Sequence, residues 1–124
     1  MSLEIYKEHL LDLYKNPHNK GILENFTHEF SKNNPLCGDE IKIQLTIKNN
    51  KIMDVKFEGI GCVISMASTS MLTDKIKDMK VESAKKLTKE DLLEMIHIPI
   101  SSVRLKCALL SLDTLNGALK NVRN

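Results

Sequence analysis

The sequence has no tryptophan, only two tyrosines and three phenylalanines, and an aromatic share of 4%. It therefore lacks the aromatic platforms on which single-stranded bases stack. Charge of one sign is equally scarce: 18 basic and 16 acidic residues leave a net +2, with no dense Lys/Arg run. That balance argues against a nucleic-acid partner. The Lys-rich stretch from Lys75 to Lys89 also holds Asp78 and Glu82 and reads as a solvated helix face. No apolar run is long enough to cross a bilayer. Met1-Ser2-Leu3-Glu4 lacks the basic n-region and apolar h-region of a secretory leader. There is no Cys-x-x-Cys pair, which excludes a zinc ribbon and a thioredoxin-type redox motif. Phosphate loop, dinucleotide fingerprint and serine nucleophile elbow are also missing.

What remains is a chain of 124 residues, 42% apolar and 27% charged, in the ordinary range for one globular domain spanning residues 1–124. Its core must come mainly from Leu, Ile, Val and Met. Three cysteines make an odd number. Reduced thiols and a cytoplasmic location are the natural expectation for an unexported chain.

Residues 3–15 predict a helix, with Leu3, Tyr6, Leu10 and Leu13 on one face. Asn16-Pro17 should end it, because the residue before proline is disfavoured in the α region. A loop over 16–25 leads to a short strand marked by Phe26, His28 and Phe30. The clearest strand follows, with Ile41, Ile43, Leu45 and Ile47 on one side and Lys42, Gln44, Thr46 and Lys48 on the wet side. Asn49-Asn50 predicts a tight turn. A third strand over 51–58 would turn Met53, Val55 and Phe57 inward, completing a hairpin. Gly59 and Gly61 break it, and a helix over 62–79 begins with many small residues, from Ser65 to Thr73.

Thr88 to Asp91 predicts a capping box with Leu87 and Leu92 as its staple, opening a helix over 89–96. Ser101 or Ser102 should cap a final helix striped by Leu105, Leu109, Leu112, Leu115, Leu119 and Val122. The order is helix, three strands, three helices. This predicts an α+β fold: a three-stranded antiparallel sheet with helices packed on one face.

The cysteines carry the chemical signal. An isolated cysteine is most often a small buried hydrophobe, but each of these stands at the edge of an element. Cys37 lies in a Pro/Gly loop, where Gly38 would let the backbone approach an ion. Asp39 follows two residues later, either as a second ligand or as a turn residue bonding its own loop. Cys62 falls at a helix N-terminus, where exposed N–H groups and the dipole favour negative charge. Cys107 is off the leucine stripe, on a face shared with Val103 and Leu110, with Arg104 and Lys106 nearby. A second apolar face is the alternative for Cys107. Convergence of the three would allow a tetrahedral thiolate–carboxylate zinc site, iron held in a cluster, or sulfur exchange with a persulfide. Spacing does not choose among these. His9, His18, His28 and His97 are scattered and read as structural or exposed.

In combination, Pro35-Leu36-Cys37-Gly38-Asp39, the run Gly59-Ile60-Gly61-Cys62-Val63-Ile64-Ser65-Met66-Ala67-Ser68-Thr69-Ser70-Met71, and Arg104-Leu105-Lys106-Cys107-Ala108 resemble the U-type iron–sulfur cluster assembly proteins. These comprise the NifU-like, IscU-like and SufU-like branches. The resemblance extends over nearly the whole chain, including Tyr14 to Asn19. It implies a compact α+β domain that receives sulfur from a cysteine desulfurase and assembles a [2Fe–2S] cluster for apo-proteins. Such a protein is a scaffold rather than an enzyme in the usual sense. Cys37, Cys62 and Cys107 match the cysteines that bind cluster or Zn²⁺, and Asp39 matches a zinc ligand that influences cluster retention. In a sulfur-transfer role, Cys107 matches the persulfide acceptor.

Two departures are informative. The IscU-like branch has histidine before the last cysteine, where this chain has Lys106, and an ammonium group offers no lone pair to a metal. That points towards the zinc-bound, sulfur-accepting SufU-like branch. Yet the insertion usual in that branch is absent from the short Ile98 to Val103 segment. The same segment does not match the chaperone-binding motif of the IscU-like branch. A structural zinc module is the remaining alternative.

Overall fold

The computed structural model describes residues 3–35, 38–120 and 122, without the side chains of the predicted face residues Leu3 and Val103. Helix α1 spans Leu3–Lys15, and strands β1 (His28–Asn34), β2 (Asp39–Lys48) and β3 (Lys51–Ile60) follow. Helices α2 (Val63–Ile76), α3 (Val81–Lys85), α4 (Lys89–Ile96) and α5 (Ser102–Leu119) complete the order. The strands form an antiparallel sheet in the order β1-β2-β3, as the alternation predicts. Helices α2 and α5 pack together and onto the sheet, α1 packs on α2, and α4 contacts both α2 and α5.

The local signals act as expected where they are strong. Helix α1 stops ahead of Pro17, and the last helical carbonyls are met in part by Asn16, whose N–H donates to the Asp12 carbonyl at 2.8 Å. Asn49 and Asn50 both adopt positive φ, 52° and 63°, the conformation of a type I′ hairpin turn. Thr88 accepts from the Asp91 N–H, while the Asp91 carboxylate accepts from the Thr88 N–H at 2.8 Å, closing the capping box. Ser101 caps α5 by accepting from the Arg104 N–H.

Several details differ from the sequence expectations. Met53 is exposed and Ile52 is buried in its place. The ladder shifts between Thr46 and Ile47, so that Thr46 opposes Asp54 while Ile47 opposes Ile52. Met53 is the extra residue of a bulge, which reverses the side-chain phase beyond it. The second difference is Gln44, predicted wet but buried. The chain after α1 curls over that side of the sheet, and the Leu23 N–H donates to Gln44 Oε1 at 2.8 Å. The third is the extra helix α3, which buries only Val81 and Ala84. Five residues are too few to show a helical period.

Strand β3 also runs on through Gly59, which pairs with Ile41. A Cβ at Gly59 would lie 2.3 Å from the Glu40 carbonyl oxygen, so only glycine lets β2 and β3 approach closely there. This close approach holds Asp39 and Glu40 beside the Gly61–Cys62 corner. The outer edge of β3 is covered in two places. Phe57 exchanges backbone bonds with Asn19 and Gly21, and Ile52 does so with Asp78 and Met79. These contacts protect an edge that would otherwise invite intermolecular pairing.

Two stability predictions follow from these contacts. Gly59→Ala should lower unfolding free energy by about 1–3 kcal/mol, the usual range for overpacking, seen as a reduced urea midpoint. The Thr88 backbone N–H, followed by its side chain, lowers the Asp91 pKa below the ordinary carboxylate value. That stabilisation is complete above the unfolded-state pKa and is lost as pH falls through the lower native one. Asp91→Asn should therefore show a flatter loss of stability on acidification than the unsubstituted protein in parallel denaturation series.

Candidate metal centre

The site forms where three separate parts of the chain meet. Asp39 opens β2 and is 5% exposed. It stands beside the end of β3 because Glu40 pairs with Ile60. One residue past Gly61, Cys62 becomes the N-cap of α2 with an extended backbone (φ −74°, ψ 174°) and no side-chain capping bond. Its thiol is thereby left to face the corner, beside the Ser65 hydroxyl of the same helix. Cys107, in the second turn of α5, is 4% exposed. The carboxylate oxygen and the two sulfurs lie within 4.8 Å of one another.

Cys37 and its neighbour Leu36 lie outside the described residues. The chain on either side of them is closed by the Gly38 N–H, which donates to the Asn34 carbonyl at 2.8 Å. Lys106 is exposed. It lines a groove of about 420 Å³ between the end of β1, at Asn33, Asn34 and Pro35, and the Leu109 and Asp113 side of α5. A second buried face of α5, the alternative reading of Cys107, is present: Cys107, Ala108, Leu110, Ser111, Thr114 and Ala118 are buried together with the leucines at 112, 115 and 119.

The histidines stand apart from this group. His18 Nδ1 pairs with Asp74 Oδ2 at 2.7 Å, His28 bonds Thr27, and the His97 ring stacks on Tyr6 at 4.8 Å.

Ser65 is the site residue that the sequence does not single out. It is fully buried. Its hydroxyl donates to Asp39 Oδ2 at 2.5 Å and lies 3.2 Å from the Cys107 carbonyl oxygen and 3.6 Å from Cys62 Sγ. The available signal is its spacing: three residues after the N-cap, its side chain returns to the same end of the helix.

The donor set fits a thiophilic metal. Tetrahedral zinc, at about 2.3 Å to sulfur and about 2.0–2.2 Å to oxygen, separates neighbouring donors by roughly 3.5–3.8 Å. From separations of at most 4.8 Å, closing by about 1 Å would satisfy that geometry. Two thiols and a carboxylate also leave one tetrahedral position for a further ligand.

The fold and this cluster define a small α+β domain with a buried cysteine–aspartate centre at the junction of sheet and helices. The model of the NifU-like N-terminal domain matches residues 5–124, and the chain belongs to that family. It is 45% identical over 85 residues to the zinc-dependent sulfurtransferase SufU of Bacillus subtilis, covering 68% of this chain and 57% of that protein. It is 36% identical over 123 residues to the iron–sulfur cluster assembly scaffold protein IscU of Aquifex aeolicus, covering 98% and 77% of the two chains. Among solved structures, one described as an iron–sulfur cluster assembly scaffold of the SUF system from Fervidobacterium islandicum superposes with a TM-score of 0.76. That pair shares 30% identity over 96% of this chain and 99% of the other.

Exposure at this centre is uneven, since Cys62 is part-buried and Cys107 is buried. In chelator-treated native protein, iodoacetamide should label Cys62 well before Cys107, as read by peptide mass spectrometry over time. Equal rates would contradict this packing.

Proposed function

We propose that this protein serves iron–sulfur cluster biogenesis in the cytoplasm as one functional unit spanning residues 1–124. It accepts sulfur from a cysteine desulfurase and assembles a [2Fe–2S] cluster on Cys37, Cys62 and Cys107 for delivery to apo-proteins. Asp39 completes the ligand set and governs how firmly the cargo is held. The observation that carries this reading is the approach of the Asp39, Cys62 and Cys107 donor atoms within 4.8 Å. Two thiols with a carboxylate beside them make a donor set suited to a thiophilic metal, and thiolates are the usual protein ligands of iron–sulfur clusters.

A second reading, a zinc-bound sulfurtransferase, is favoured by Lys106 and by the 45% identity to SufU. Here the zinc is resident, and Cys107 receives sulfur. The Cys107 thiolate attacks the terminal sulfur of a desulfurase persulfide, its sulfur–sulfur bond breaks, and the desulfurase cysteine leaves as a thiolate. Cys107 then carries the persulfide. No membrane attachment enters either reading: no described helix is long and apolar enough to cross a membrane.

Anaerobic incubation with ferrous iron, cysteine and a desulfurase should produce visible thiolate-to-iron absorbance that is lost in Cys107→Ala. Retention of zinc with no such absorbance would overturn the scaffold reading. In that event, stimulation of desulfurase turnover, abolished by Cys107→Ala, would establish the sulfur relay.

A further inference from the structure

We propose that Ser65 is a positioning residue of the metal centre: its hydroxyl holds the Asp39 carboxylate in place and so sets how tightly zinc is retained. The inference rests on the reading of Asp39, Cys62 and Cys107 as metal ligands and adds to it a residue that donates nothing to the metal.

Ser65 has one hydroxyl proton and three polar neighbours, one on each donor-bearing residue. The shortest contact is to Asp39 Oδ2 at 2.5 Å, against 3.2 Å to the Cys107 carbonyl and 3.6 Å to Cys62 Sγ. A bond from a hydroxyl to a carboxylate is charge-assisted and outcompetes one to a neutral carbonyl. The serine proton therefore points to Asp39, and the serine lone pairs face Cys62.

The behaviour of the other hydroxyls on α2 sets Ser65 apart. Thr69 donates to the Ser65 carbonyl and Thr73 to the Thr69 carbonyl, each at 2.8 Å. Both bond back along their own helix, whereas the Ser65 hydroxyl reaches across to β2 and α5.

The backbone opposite Ser65 leaves room for this contact. A Cβ at Gly61 would lie 3.0 Å from the Ser65 Cβ and 3.3 Å from the Asp39 Cγ. Glycine there leaves the carboxylate and the hydroxyl close enough to bond. Partners that orient metal ligands in this manner commonly contribute 10–100-fold to metal affinity.

The test is zinc affinity, measured by competition with a chromophoric chelator, for the unsubstituted protein, Ser65→Ala, Asp39→Ala and the double variant. Apo-protein unfolding is followed in parallel. Ser65→Ala should weaken zinc binding about 10–100-fold when Asp39 is present, and by less than about twofold when Asp39 is already alanine. Gly61→Ala, which crowds the same pair from the backbone side, should show the same dependence on Asp39 and serves if Ser65→Ala does not fold. An equal loss in both backgrounds, or no loss in either, would overturn the inference while leaving the metal centre intact. Failure of the unsubstituted protein to bind zinc would overturn both.

Discussion

The pairing of Glu40 with Ile60 is the contact on which the centre depends. It brings the first residue of β2 against the corner where β3 gives way to α2, so that two segments twenty residues apart in sequence meet there. The absence of a side chain at Gly59 makes the pairing close. Helix α5 then lies over the corner and contributes Cys107. None of these elements holds the site alone: the sheet supplies the carboxylate, the helix start supplies a part-buried thiol, and the last helix supplies a buried one.

The polar interior of α2 is the companion of this arrangement. A helix buried along most of its length would ordinarily be lined with leucine. Here Ser65, Ala67, Ser68, Thr69, Ser70 and Thr73 are buried instead, which allows α1, α5 and the sheet to come near its backbone. Threonines that bond back along the helix satisfy part of the polar demand. The Ser68 and Ser70 hydroxyls have no hydrogen-bond partner among the described residues, and each such group lowers the stability of a packed interior. Met66, Leu72 and Ile76 supply the helix's larger apolar contacts between these small residues.

Local chemistry was readable in advance. The Asn49-Asn50 turn, the Thr88–Asp91 box and the Ser101 cap each depend on residues within four positions of one another, and each forms as the residue types require. The positions that misled depend on distant chain. Met53 and Ile52 exchange places because of the bulge opposite Thr46 and Ile47, which no alternation within β3 reveals. Gln44 is buried by a loop twenty residues upstream. At the site, Cys62 and Cys107 were conspicuous through their flanking residues and Asp39 through its place two positions after Cys37. Ser65 was hidden in a run of small residues where its role emerges only once β2 and α5 are in place.

The distribution of donors along the chain also bears on biosynthesis. Domains generally fold as units. Asp39 and Cys62 stand in the hairpin and at the start of α2, whereas Cys107 belongs to α5, far along the chain order. A partly synthesised chain therefore holds the first two without the helix that brings Cys107 beside them.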